Sequence, residues 1–165
     1  MFILWVFPLS NEQSNHMVIQ RTWAMPNKRT FQIPAIKQLI ENELWGVMLD
    51  PFPYHYEMDA SKYLKLAAPS ECGVFDPPYS PRQLKECYNN KGEYDTKSST
   101  WSQWKDLMAE KINKKCISFG WNTCGLGKKR GFEIVKILMV CHGGMHNDTI
   151  CTVERRVTER RIWNE

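Results

Sequence analysis

No stretch of the sequence is apolar for long enough to cross a bilayer; the longest such run, Met1 to Leu9, stops far short of the roughly 20 residues a spanning helix needs. That run also lacks the basic flank and small-residue cleavage site of a secretory signal. There is no CxxC pair among the 6 cysteines, which are scattered at 72, 87, 116, 124, 141 and 151. A disulfide scaffold and a zinc-ribbon site are both disfavoured on that ground. Cysteines set beside apolar neighbours, as at Cys116-Ile117 and Val140-Cys141, read as small buried hydrophobes in a reducing, cytoplasmic setting. Internal repeats and low-complexity tracts are missing too.

What is present is an ordinary globular balance in 165 residues, with 42% hydrophobic and 24% charged side chains. The length suits one domain. A net charge of +4 is compatible with an anionic partner without requiring one. Residues 1–16 read as an extension, 17–155 as the domain and 156–165 as a basic, solvated tail.

The apolar spacing of Ile36, Leu39, Ile40 and Leu44 predicts a helix over 34–44, with Pro34 in its first turn. Trp45 to Leu49 reads as a short buried strand, and 60–66 as a helix capped by Asp59. Cys72 to Phe75 is a strand closed by a double proline, and Pro81 to Tyr88 starts a helix. Trp101, Trp104, Leu107, Met108 and Ile112 form the stripe of a helix over 100–112. Strands are expected at 115–121, 132–140 and 149–153, the last two as an antiparallel hairpin around Gly143-Gly144; Thr22 to Thr30 reads as a loop. Alternating strands and helices imply an α/β sheet, mostly parallel, with ligands at the carboxyl ends of its strands.

Two motifs fall at such ends: Asp50-Pro51-Phe52 and Asp76-Pro77-Pro78-Tyr79. The exocyclic amino group of a base is a poor nucleophile, because its lone pair is conjugated with the ring. Acceptors fixed beside its hydrogens favour the pyramidal nitrogen that attacks. The Asp76 carboxylate and the Pro77 carbonyl are suited to this, since prolines stiffen the backbone and remove competing N–H donors. Tyr79 offers a face for a flipped base and for a cationic methyl donor. As a bare tetrapeptide the motif is also a common turn.

Phe75 to Gln83 resembles the catalytic motif of small phage-type DNA adenine amino-methyltransferases. The likeness extends to Arg21 to Lys28, Ile117 to Asn122, Arg130 to Ile134, and His142-Gly143-Gly144 with His146 to Glu154. What the resemblance implies is a Rossmann-like methyltransferase sheet, S-adenosylmethionine as cofactor, and DNA as partner, with a base rotated out of the duplex. Asp76, Pro77, Pro78 and Tyr79 take the catalytic role; Asp50, Pro51, Phe52, Asp59 and Ala60 take the cofactor contacts. The host is a bacterial or phage-infected cytoplasm. The small size leaves recognition to loops, with a homodimer as one way to extend it.

The chain departs from that family between Phe52 and Asp59, where roughly fifteen to twenty residues of a strand-loop unit are absent. An inactive member that only binds nucleic acid, and an enzyme acting on RNA or a protein glutamine, are the competing readings. For DNA phosphates the candidates are Arg82 and the run Lys128-Lys129-Arg130 on a glycine-flanked loop. His142, His146, Cys141 and Cys151 lie across a Gly-Gly turn in no metal-ligand spacing, so no metal is expected. His142 reads instead as a border of the substrate groove. Trp101 and Trp104 read as core, and Trp23 and Trp121 as rim residues able to stack.

Overall fold

The computed structural model describes residues 17–52, 59–80 and 98–157. The expected helix over 81–88, and with it Arg82, lies outside the described residues, as does the whole segment between Phe52 and Asp59.

Among the described residues six strands form one mixed sheet: β1 (Val18–Trp23), β2 (Met48–Leu49), β3 (Ser70–Phe75), β4 (Ile112–Gly120), β5 (Phe132–Cys141) and β6 (Thr149–Arg156). Their order across the sheet is β1-β5-β6-β4-β3-β2. β1 pairs parallel with β5, and β2, β3 and β4 are mutually parallel. β6 alone runs against the rest, antiparallel to both β4 and β5. The fold is thus α/β with a mostly parallel sheet and an antiparallel C-terminal pair, as expected. Among the described residues no helix is long and apolar enough to cross a membrane.

Both faces of the sheet are covered, which is why its central strands are buried on alternate residues in both directions. On one face α1 (Pro34–Glu43) sets Ile36 and Leu39 against Val74, Ile117, Val140 and Val153. On the other, α2 (Ala60–Leu66) and α3 (Ser98–Lys111) bring Leu64, Trp104 and Met108 against Leu49, Phe75 and Cys116. The Asp59 carboxylate accepts the Lys62 backbone N–H at 3.0 Å, so α2 carries the expected cap. Gly73 is where β3 must stay bare: a Cβ there would meet Ile112 Cδ1 at 2.5 Å.

Four expectations need correcting. Trp45 to Leu49 is not a buried strand; only Met48 and Leu49 pair, while Val47 is 86% exposed and Gly46 turns at a φ of 70°. The loop expected from Thr22 overlaps a strand, because β1 runs through Trp23. That strand has mostly exposed side chains and is held by its backbone pairing to β5. Ile112, expected to end a helix, opens β4, whose parallel partner there is Ser70. Arg156, expected in a solvated tail, lies in β6, where its Nη2 donates to the Ile112 carbonyl at 2.7 Å and its guanidinium stacks 4.6 Å over the Phe132 ring.

Candidate functional site

Because five strands run one way and β6 starts where they end, one rim collects Trp23, Asp50, Asp76, Gly120, His142 and Thr149. Side chains alternate along β3, so Val74 faces α1, Phe75 faces α3, and Asp76 returns to the α1 face. There Thr30, in the 3-10 turn Thr30–Gln32, hydrogen-bonds the Asp76 side chain. Burial pushes the Asp76 carboxyl up to about 7; the Thr30 bond opposes this, and the neighbouring Asp50 charge adds to it. Asp50, at the end of β2, is pushed up to about 6 by burial although its Oδ1 accepts the Phe52 N–H at 2.9 Å. Among the described residues no cation contributes to the setting of these two carboxyls on adjacent strand ends.

Pro77 and Pro78 are buried, and Tyr79 is half-buried beyond them. The Tyr79 ring stands between two tryptophans: Trp101 edge-on at 5.1 Å and Trp121 tilted 31° at 5.5 Å. Gly120 leaves room for this ring, since a Cβ there would sit 3.0 Å from the Tyr79 hydroxyl. Trp121, at 53% exposed, and Trp23, at 64%, are rim residues as read from the sequence. Trp104 is core, donating its indole N–H to Ser61 Oγ at 2.9 Å. Trp101, by contrast, belongs with Tyr79 rather than only with the core. Its helical spacing could not reveal that, because the stripe it shares with Trp104 is equally compatible with burial.

The remaining cofactor candidates are placed less favourably. Phe52 is buried, 5.4 Å from Phe75 and 5.2 Å from Trp104, so it props the core behind the rim. Ala60 is buried as well, and the Asp59 carboxylate is occupied in capping α2.

Of the expected phosphate contacts, Lys128 and Lys129 are exposed, but Arg130 is not a free loop cation. Its Nε donates to Asp106 Oδ1 at 2.6 Å, Nη1 to the Leu126 carbonyl at 2.9 Å, and Nη2 to Ser102 Oγ at 2.9 Å. The loop before it is also fixed. Glu154, fully buried in β6, accepts the Leu126 and Gly127 N–H groups at 2.6 and 2.8 Å. Burial raises the Glu154 pKa against the effect of those two bonds. Arg130 and Glu154 shape this side of the site, and tertiary carbonyl contacts of that kind leave no trace in sequence spacing.

His142 is buried and fully engaged. Its Nδ1 lies 2.8 Å from the Ala24 carbonyl and its Nε2 2.9 Å from Thr149 Oγ1, and its backbone N–H donates to Asp148 Oδ1 at 3.1 Å. A ring nitrogen facing a carbonyl must carry the proton, so the imidazole stitches the ends of β1, β5 and β6 together. Among the described residues no group of three or more His, Cys, Asp or Glu is arranged to hold a metal. A cavity of about 460 Å³ opens beside Tyr79, on the α3 side of the sheet; Asp76 does not line it. No protein-family model, curated protein or solved structure matches the chain.

Proposed function

We propose that the chain is an S-adenosylmethionine-dependent methyltransferase acting on the exocyclic amino group of adenine in DNA, on a Rossmann-like sheet shortened by one strand-loop unit. The observation that carries this reading is the pairing of a half-buried Asp76, its carboxyl pushed up to about 7, with a Tyr79 ring framed by Trp101 and Trp121, both projecting from the end of an inner strand.

In this reading Tyr79 supports the extruded base by stacking, and the exposed Trp121 extends the surface on which it lies. Asp76 accepts one hydrogen of the amino group and the Pro77 carbonyl accepts the other, which draws the lone pair out of conjugation. As the nitrogen gains a fourth bond it must release a proton, and a carboxylate whose pKa lies at about 7 is matched to receive it. Thr30 holds that carboxylate in place.

The methyl donor, when bound, supplies an electrophilic methyl on a positively charged sulfur. The charge of the site fits such a cation, since Asp50 and Asp76 repel one another and a positive group between them would relieve both. Asp50 with Pro51 is the part of the expected donor set that fits. Phe52 and Ala60 act from behind as core, and Asp59 as a cap.

A second reading, a protein that binds nucleic acid without the donor, is favoured by one observation. β2 has only two residues and forms the outer strand at that end of the sheet, where the absent unit would attach. Calorimetric titration with S-adenosylmethionine separates the two. Measurable binding is expected, and no heat at millimolar donor sinks the enzyme reading. Labelled methyl transfer should then go to DNA in preference to RNA or protein. Asp76→Ala should lower transfer by roughly 10²–10³-fold while leaving donor binding largely intact.

A further inference from the structure

The cavity beside Tyr79 has a composition that amino-group chemistry alone does not require. Tyr79 and Trp101 form an aromatic wall, Phe75 an apolar floor, and Lys105 and Arg130 bring two cations to it. The two cations differ. Arg130 is neutralised by Asp106 at 2.6 Å and held by Ser102 and Leu126. Lys105 has no carboxylate within ion-pair distance among the described residues, and its Nζ donates to the Cys124 carbonyl at 2.6 Å. An ammonium has three protons to donate, so two remain for a ligand. Burial disfavours its charge most, with Arg130 adding repulsion, while Glu154 behind the loop attracts it. An anion entering the cavity would complete what the protein leaves undone.

We infer that this cavity is a subsite for a nucleoside monophosphate unit, with the ring against Trp101 and the phosphate on Lys105. The inference rests on the nucleic-acid reading above and deepens it. The unit held here is a neighbour in the strand of the base presented to Asp76, which lies on the opposite face of the sheet. The occupant is a nucleotide rather than a bare anion because an aromatic wall and a single available ammonium occur in the same chamber. The volume of about 460 Å³ accommodates a ring and a phosphate together.

Calorimetric titrations of the whole chain with adenosine 5′-monophosphate, adenosine and inorganic phosphate test this directly. The monophosphate should bind at least about tenfold more tightly than adenosine, the gain expected of one charge-assisted contact. It should also bind more tightly than phosphate alone. Equal affinity for adenosine and its monophosphate in the unaltered protein overturns the inference, as does phosphate binding as tightly as the nucleotide. Lys105→Met should erase the preference and Lys105→Arg should keep most of it; a preference undiminished in folded Lys105→Met also refutes the assignment. Asp76→Ala separates this subsite from catalysis, because methyl transfer should fall while the preference for the monophosphate over adenosine, carried by Lys105, is kept. A wild-type protein that transfers no methyl group yet prefers the monophosphate through Lys105 fails as an enzyme and keeps the subsite. One that methylates DNA but shows no such preference does the reverse.

Discussion

The rim is built in two different ways. Where β3 ends it is backed by α1 on one face and α3 on the other, flanked by strands on both sides, and its last residues Val74 and Phe75 are at most 1% exposed. Where β2 ends, two residues make the outer strand of the sheet, Leu49 alone turns inward, and Met48 and Val47 face solvent. Yet each end delivers a half-buried aspartate to the same rim. A carboxylate held by a two-sided core can be aimed; one held at an edge depends on its local turn, here the Asp50–Phe52 hydrogen bond. The acceptor side of the proposed reaction is consequently the rigid part, and the donor side is the part open to variation.

The sharpest test of this contrast is stability. Phe75→Ala should cost about 3–5 kcal/mol in urea unfolding, while Leu49→Ala should fall near 2 kcal/mol, the low end for a buried leucine. Equal losses would remove the distinction between the two ends. The carboxyls offer a second test. Both are raised from 3.8, Asp76 to about 7 and Asp50 to about 6, so the folded protein binds protons that the unfolded chain has released. Their contribution is therefore present at low pH and is lost as pH rises through the folded values. Asp50→Asn should flatten the fall in stability between about pH 4 and 6. Asp76→Asn should flatten it further, to about pH 7. Thermal unfolding followed across this range checks both, and a slope insensitive to Asp76→Asn contradicts its burial.

Smaller effects follow at the surface. Asp59→Ala should cost about 1 kcal/mol, the usual value of an N-cap, and should leave the β3 end unaffected. Lys128→Gln and Lys129→Gln should each change stability by less than about 0.5 kcal/mol. If these lysines touch phosphates, each change should also reduce the salt dependence of DNA binding by nearly one ion. An unchanged slope assigns them to solvent.

The elements whose side chains carry their own signal were legible in the sequence. Pro34 with the Ile36 and Leu39 spacing marked α1, Asp59 marked the start of α2, and the alternation after Phe132 marked the hairpin. β1 was not legible, because Val18 to Arg21 are exposed and its stability comes from the backbone ladder to β5. The same reasoning explains Arg130 and Arg156. Runs of cations look solvated until carbonyls from α3 and β4 are brought to them by the fold. At the site, Asp76 to Tyr79 could be read directly, since the prolines and the strand end are local features. The partners that give the motif its setting, Thr30, Trp101 and Lys105, come from distant segments and needed the tertiary arrangement.

The position of β6 has a consequence for assembly. It is the last of the described strands in chain order and occupies the middle, joining β4 to β5 by ladders on both of its edges. Until Thr149–Arg156 is available, β2-β3-β4 and β1-β5 are two separate ribbons, and the Leu126–Gly127 amides have no Glu154 to accept them. A nascent chain would thus carry the whole Asp76 motif while its sheet was still open along the centre, with β4 presenting an unpaired edge to any neighbouring chain. Closure by a single late strand makes the rim an all-or-none structure: the two halves of the site come into register only when synthesis of the sheet is complete.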